Sequence, residues 1–257
     1  MKKLLLISAA LASLSIPAQA ADMAVKAPRA SAASPAFTWS SCFLGAHAGG
    51  GWTQNDITDP VRLAQESVGG AAVTTGVTTT SVSPSGAVIG GQFGCDYQFV
   101  PNWVVGVEGA ASGATMKGST SVGLPAGLAG ESALVTARTD FLASATGRFG
   151  YAVDRWLLYV RGGAAWAGDK YSVTGDFQTA PFGFEGVDSR PGWTVGGGVE
   201  WAFSGNWSAR LEYDYYGLGT RTLSMSDGIN GFTGVMDVKQ SVQTVKVGVN
   251  FHMWSGQ

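Results

Sequence analysis

The sequence predicts an all-β fold, an eight-stranded antiparallel up-and-down transmembrane β-barrel of a bacterial outer membrane. Three observations predict it: an N-terminal export signal, an apolar composition without a helix-length apolar run after that signal, and apolar residues that alternate with polar ones over most of the chain. Outer-membrane barrels show such alternation because successive side chains face the lipid and the lumen in turn.

Residues 1–20 are predicted to be a signal peptide. The basic start, Lys2-Lys3, is followed by an apolar segment, residues 4–16, and then by the A-x-A cleavage site Ala18-Gln19-Ala20. The apolar segment is too short to cross a bilayer as a helix. The alternative is a buried N-terminal helix. Because the small residues stand where a signal peptidase needs them, we expect cleavage after residue 20.

Composition and charge exclude several classes of function. Charged residues make up only 13% of the chain, and the net charge is −2. There is no basic block, so nucleic acid is not expected as a partner. The sequence has neither a CxxC nor an HExxH motif, so no metal or cofactor is predicted.

The remaining chain divides into two parts. Residues 21–40 are rich in Ala, Pro and Ser and are predicted to be a flexible periplasmic lead-in. Residues 41–254 are predicted to form the barrel. Its eight strands are expected at roughly 42–52, 85–99, 103–114, 134–152, 156–170, 192–203, 207–218 and 241–254.

The connections between these strands favour a membrane barrel over a soluble sandwich. A rim of tight turns and a rim of long loops is typical of outer-membrane barrels, whereas the links of a Greek-key sandwich are not sorted in this way. Three connections are predicted to be tight, near residues 100–102, 153–155 and 204–206. The other four are predicted to be long loops, near 53–84, 115–133, 172–190 and 219–239.

Aromatic residues cluster near the predicted strand ends. This placement predicts an aromatic girdle at each membrane interface; the alternative is that they are core residues of a soluble domain. The periplasmic girdle is expected to contain Tyr97, Phe99, Trp103, Phe149, Tyr151, Trp156, Trp201, Phe203 and Trp207, and the outer girdle Trp52, Trp166 and Trp193.

The face that points away from lipid carries most of the charge, with both signs nearly balanced. In a barrel of eight strands, side chains fill the interior, and buried charges there must be paired. This arrangement favours a salt-bridged plug, and the alternative is an ion path. The predicted lumen network contains Asp96, Glu108, Arg148, Arg161, Glu200, Arg210, Glu212, Asp214 and Lys246.

Several segments resemble a known family. Residues 42–52, CFLGAHAGGGW, and residues 90–98, GGQFGCDYQ, resemble the first two strands of the small outer-membrane β-barrels of alphaproteobacteria. That family includes the group-3 outer-membrane immunogens and is related to the OmpA transmembrane barrel. The segments 147–151 and 247–251 resemble a middle strand and the closing strand. The resemblance implies an eight-stranded barrel and carries over no catalytic residue. Members usually end on an aromatic where this chain has Met253.

The two cysteines are predicted to form a disulfide. The first two strands should be antiparallel, with their outer ends near Trp52 and Ser85 paired. Counting back ten residues on each strand places Cys42 opposite Cys95. The exported chain enters an oxidising compartment, which allows the bond. The alternative is two free buried thiols, because opposed positions do not always meet disulfide geometry.

Three functions remain open. The first is a structural outer-membrane barrel that contributes to envelope integrity and displays surface loops; the second is a narrow porin or channel for small solutes. An enzyme is the third and is not expected, because His47 and His252 are the only histidines and neither has an obvious serine partner. The expected partners are outer-membrane lipids and lipopolysaccharide, the barrel-assembly machinery during insertion, and an unidentified ligand of the surface loops.

Overall fold

The structure is a computed structural model that describes residues 37–58, 79–123, 132–177, 180–227 and 233–253. The predicted signal peptide, the predicted lead-in as far as residue 36, and the predicted end of the barrel at residue 254 lie outside these ranges.

The described residues form one antiparallel sheet that closes on itself. Neighbouring strands follow the order β2-β1-β3-β4-β5-β6-β7-β8-β9, and β1 also pairs with β9 to close the ring. The predicted up-and-down barrel is therefore confirmed. The strands are β1 (Ser41–Thr58), β2 (Thr79–Val82), β3 (Ser85–Val100), β4 (Trp103–Gly123), β5 (Ser132–Val153), β6 (Trp156–Phe177), β7 (Ala180–Ala202), β8 (Trp207–Asp227) and β9 (Thr233–His252).

The described residues contain nine strands, where the sequence predicts eight. The additional strand, β2, pairs with the outer end of β1 and keeps the register that β3 has with the same strand. Pro84 separates β2 from β3. It has no backbone N–H to give to the ladder, although its carbonyl still accepts a hydrogen bond from the Thr53 N–H at 2.8 Å. β2 and β3 are therefore one strand interrupted at a proline.

The tight turns lie where the sequence predicts them, whereas the predicted extent of the long loops is wrong. Most of the predicted loop 172–190 is strand, because β6 continues to Phe177 and β7 begins at Ala180. The outer ends of β1, β4, β5, β8 and β9 also extend into the predicted loops. The physical reason is an inversion of the pattern beyond the outer girdle, where inward positions such as Val173 are apolar and outward ones such as Lys170 are polar.

An apolar band surrounds the barrel between two rings of aromatic side chains. Every aromatic residue predicted for a girdle is exposed on the outer surface. Some pair across strands: the rings of Trp156 and Trp201 stack at 5.7 Å, and those of Trp103 and Phe149 stack at 5.0 Å. The segment of β6 between Trp156 and Trp166, when tilted, covers a height of about 25 Å, which is the thickness expected of such a band.

The interior is filled in layers. At the periplasmic end Trp39 packs with residues such as Val104 and Leu157. The predicted charged residues lie above this layer, and an apolar cluster around Met116 and Leu142 lies above them. The outermost described layer is a second apolar cluster, made by Ile57, Val82, Val122, Val135, Ala137, Tyr171, Val173, Phe184, Leu223, Met236 and Val238.

Candidate functional site

The candidate site is the charged layer of the lumen. The structure buries all nine residues that the sequence places there. They come from the seven consecutive strands β3 to β9, because each occupies an inward position of its strand. Some stand directly opposite one another on neighbouring strands, as Glu200 does to Arg210 and Glu212 to Lys246. The site thus contains five carboxylates and four cations in one buried layer.

Glu108 lies at the centre of this network. Its carboxylate is 3.2 Å from Nη1 of Arg148, 2.5 Å from Nη1 of Arg161 and 2.8 Å from Nη1 of Arg210. These arginines belong to β5, β6 and β8, so a single carboxylate on β4 connects strands on opposite sides of the ring. Charge-assisted bonds of this kind are among the stronger hydrogen bonds in proteins.

A second acidic centre is formed by two residues of β8. Nη2 of Arg161 lies 2.9 Å from Glu212 and 2.7 Å from Asp214. The ammonium group of Lys246 is 3.1 Å and 2.7 Å from the same two carboxylates. The hydroxyl of Tyr159, a residue that sequence reasoning missed, donates to Glu212 at 2.8 Å. Arg161 therefore connects the two acidic centres.

Glu200 forms the periplasmic side of the network. It accepts from Nη2 of Arg148 at 2.9 Å and from Nδ2 of Asn250 at 2.6 Å, and it also accepts from the hydroxyl of Ser208. Asp96 is less well satisfied, since its ion pair with Arg148 spans 3.5 Å and its oxygens accept no hydrogen bond from the described residues. All nine residues are thus brought together, with Asp96 at the margin.

The two histidines extend the polar layer. Nε2 of His47 lies 2.7 Å from the Ser112 hydroxyl. Nδ1 of His252 lies 2.8 Å from the Ser41 hydroxyl, and its Nε2 lies 2.9 Å from the hydroxyl of Ser208. The expectation that neither histidine has a serine partner is wrong, because closure of the ring brings together residues that are far apart in sequence.

The periplasmic opening is covered by the chain itself. Residues 37–40 belong to the predicted lead-in, yet Trp39 is fully buried beneath the charged layer. Its ring meets that of His252 edge to face at 5.8 Å, and its backbone N–H donates to Gln98 at 3.0 Å. Sequence reasoning missed this cover, since an isolated Trp in a segment rich in Ala and Ser has no periodic pattern. The group around His252 therefore lies in a closed space.

A smaller polar layer lies nearer the outer end. Nε of Arg190 is 3.0 Å from Asp188 and 3.6 Å from Asp169, and Nε2 of Gln240 donates to Asp169 at 2.9 Å. Sequence reasoning missed this layer because it assigned residues 172–190 to a loop. The sequence did contain an indication of this layer. Even-numbered residues of β7 point inward, and the same alternation continued toward the start of the strand reaches Arg190.

Cys42 and Cys95 form a disulfide between β1 and β3. Their Cα atoms are register partners, and so are those of Trp52 and Ser85, as the counting from the sequence predicts. Both cysteines are half-buried on the outward side of the sheet. Among the residues that the structure describes, no group of His, Cys, Asp and Glu is arranged to hold a metal ion.

Comparisons with known proteins show the family of this chain. A family model described as "Outer membrane protein beta-barrel domain" matches residues 6–251. Two curated proteins from Brucella melitensis and Brucella suis, both called 31 kDa outer-membrane immunogenic protein, are 32% identical to this chain over 257 residues, which cover 98% of this chain and 99% of each relative. The crystal structure of the outer membrane protease OmpT from Escherichia coli matches 86% of this chain and 99% of its own at 9% identity, with a TM-score of 0.48.

Proposed function

We propose that this chain, which belongs to the outer membrane protein beta-barrel domain family, is a structural barrel with a sealed lumen. The protein resides in the bacterial outer membrane, in contact with its lipids, and the Brucella relatives confirm its resemblance to the outer-membrane immunogens. Its proposed role is to contribute to envelope integrity and to display its outer rim.

The arrangement around Glu108 is the observation that carries this proposal. Three guanidinium groups from β5, β6 and β8 converge on its carboxylate in the middle of the lumen. The interior of an eight-stranded ring is only wide enough for side chains. Trp39 covers the same lumen from the periplasmic side, and the apolar cluster around Ile57 fills it at the outer end. A hydrated solute would have to break ion pairs and cross apolar layers.

The same contacts support a mechanical role. The ion pair between Glu108 on β4 and Arg210 on β8 spans the ring, so it resists separation of strands that share no backbone ladder. Removing one member of a buried pair leaves a charge without a partner, which costs about 3–5 kcal/mol. The network therefore stabilises the closed ring relative to partly opened ones.

Recording single channels in planar bilayers tests the sealed lumen. We expect no steady conductance from the wild-type protein purified from outer membranes. The variants Glu200→Ala and Arg210→Ala should lose resistance to heat before they gain conductance, because they destabilise the barrel before they clear a path. Large, steady channels from the wild type would overturn the proposal and favour the narrow porin.

Catalysis is not part of the proposed function. His252 lies next to two serine hydroxyls and 3.5 Å from Glu200, but the whole group is buried under Trp39. A substrate would have to displace that cover to reach it. Mass analysis of lipid A from cells with and without the protein tests this part, and a change in lipid A that depends on His252 would contradict it.

Two further partners belong to the proposal. The barrel-assembly machinery would engage β9, the strand that ends at His252 and closes the ring with β1. Crosslinking from β9 during insertion tests this, and the machinery should be captured from β9 but not from β5. The second partner is an unidentified ligand of the outer rim.

A further inference from the structure

Three basic residues form a row on the outer surface of the barrel. Lys117 on β4 is the register partner of Arg138 on β5, which in turn is the partner of Lys170 on β6. All three are exposed, and the side chains of Arg138 and Lys170 are 52% and 60% accessible. Side chains directly opposite on neighbouring strands are about 5 Å apart at Cβ, and like charges at that spacing repel each other.

A single carboxylate stands within this basic row. Asp140 is the extra residue of a bulge on β5, and it contacts both Arg138 and Lys170, the latter at 3.1 Å. In the part of the chain that the structure describes, Lys117 has no ion pair with a carboxylate. On the β7 side, Glu185 is exposed two register pairs farther from the membrane than Lys170. The row therefore keeps a surplus of positive charge.

The opposite side of the ring is balanced at a similar height. There the exposed cations are Lys239 and Arg221, and the exposed carboxylates are Asp56 and Asp237. Asp56 is the register partner of Lys239 across β1 and β9. The surplus of positive charge on β4, β5 and β6 is thus a local feature of the outer surface.

The basic row lies just outside the outer aromatic girdle. Lys170 is four residues beyond Trp166 on β6, and Arg138 is three residues beyond the exposed Phe141 on β5. At this height the side chains reach the headgroups of the outer leaflet, and long basic side chains adjust toward an interface. The anionic groups available there are the phosphates of the leaflet lipid.

The lipid-facing surface below the row is flat. On β9 the outward positions within the membrane are Val245, Val247 and Val249, whereas on β4 and β5 many are Gly or Ala. A Cβ placed on Gly109 or Gly147 would meet nothing within 4 Å. A groove of about 450 Å³ lies farther toward the periplasmic side, across β3, β4 and β5. Acyl chains can lie on the small side chains between this groove and the row while a phosphate is held above them.

We infer that Lys117, Arg138 and Lys170 form a binding site for the phosphate groups of lipid A, the anionic glycolipid anchor of lipopolysaccharide. The acyl chains of this lipid lie along the flat surface of β4 and β5. The phosphates compensate the repulsion within the row, which Asp140 alone neutralises only in part. The inference rests on the position of the barrel in the membrane and is independent of the sealed lumen. Lipid A binding and channel conductance therefore test the two proposals separately.

Native mass spectrometry tests the site on the full protein, purified from outer membranes in detergent and titrated with lipid A that carries two phosphates or none. We expect the wild type to bind the phosphorylated form at least about tenfold more tightly. Each basic side chain near an anionic surface increases the affinity by up to about tenfold. The triple variant K117Q/R138Q/K170Q should lose this preference. Asp140→Asn should increase it, which a merely structural role would not do.

The matched control neutralises the balanced side as R221Q/K239Q and should bind like the wild type. The exchanged basic side chains are exposed and Asp140 is half-buried at the surface, so heat-modifiability on gels should be unchanged in every variant. Equal binding of both lipid A forms by the wild type, an undiminished preference in the triple variant, or an equal loss in the control would overturn the inference. Displacement of lipid A by millimolar inorganic phosphate alone would also overturn it. So would a dimer of the wild-type protein that is lost in the triple variant and kept in the control, since the row would then be a contact between two copies of the chain.

Discussion

The lumen is filled in two different ways along its length. In the middle of the membrane band the inward side chains are charged or polar, as at Arg161 and Lys246, and the outward ones are apolar. Beyond the outer girdle and the small polar layer of Asp169 and Arg190, the inward side chains are apolar, as at Val173, while outward ones such as Lys170 are polar. The strands continue through both regions, and the same alternate residues point inward throughout. On β6 these are the odd-numbered residues in both regions.

The difference follows the medium outside the wall. Where the outer face contacts lipid, the inner face holds the polar residues, and the charges are paired because unpaired buried charge is costly. Where the outer face contacts water, the inner face can bury apolar groups as a soluble domain does. One barrel wall thus combines the pattern of a membrane protein with the pattern of a soluble protein, and the two meet at the outer girdle.

The largest effect is expected from breaking the charged region at Glu108. Glu108→Ala leaves three guanidinium groups without their shared carboxylate. We expect a loss of about 3–5 kcal/mol in the free energy of unfolding, since three buried guanidinium groups each lose a charged partner. Urea unfolding in detergent, read by heat-modifiability, measures it. Asp140→Ala removes an exposed ion pair and serves as the control, with a loss of under about 1 kcal/mol. Equal losses would show that the network does not stabilise the barrel.

A smaller and more local effect is expected in the apolar region. Ile57 is fully buried in the outermost cluster, so Ile57→Ala should cost about 2–5 kcal/mol there through lost burial and a cavity. Protease cleavage at the outer end should accelerate, while the membrane region stays resistant. Leu134→Ala, at an exposed position on the same part of the wall, is the control and should cleave like the wild type. Unfolding of the whole barrel with Ile57→Ala would mean that the two regions are one cooperative unit.

The smallest effect is expected at the disulfide, which lies at the periplasmic end of the charged region. The two cysteines are 53 residues apart in sequence. Breaking the bond between them should lower the free energy of unfolding by at most about 2–4 kcal/mol. Reduction should affect the wild type and leave Cys42→Ser/Cys95→Ser unchanged. Counting thiols in the unreduced, denatured protein checks the bond itself, and two labelled thiols would exclude it.

The membrane half of this architecture could be predicted from the sequence, and the reason is periodicity. Apolar and polar residues alternate there in one phase, which predicted the strands, the register of Cys42 with Cys95, and the set of lumen charges. The outer half was missed because the same alternation continues in the opposite phase. Its outward Thr, Ser and Gly residues were interpreted as loops, and Arg190 was lost with them. Trp39 and the serine partners of His252 were missed for another reason, since these contacts form only when the ring closes.

Site-directed spin labelling along β6 tests the inversion most directly. A label is placed singly at Leu158, Val160, Lys170 or Thr174, which all point outward, in a chain whose described cysteines are both in the disulfide. At Leu158 and Val160 the label should be relaxed by oxygen dissolved in lipid and shielded from a water-soluble nickel complex. At Lys170 and Thr174 the nickel complex should relax it instead. Lipid-like accessibility at all four positions, or a buried label at Thr174, would contradict a continuous wall that changes its surroundings at the outer girdle.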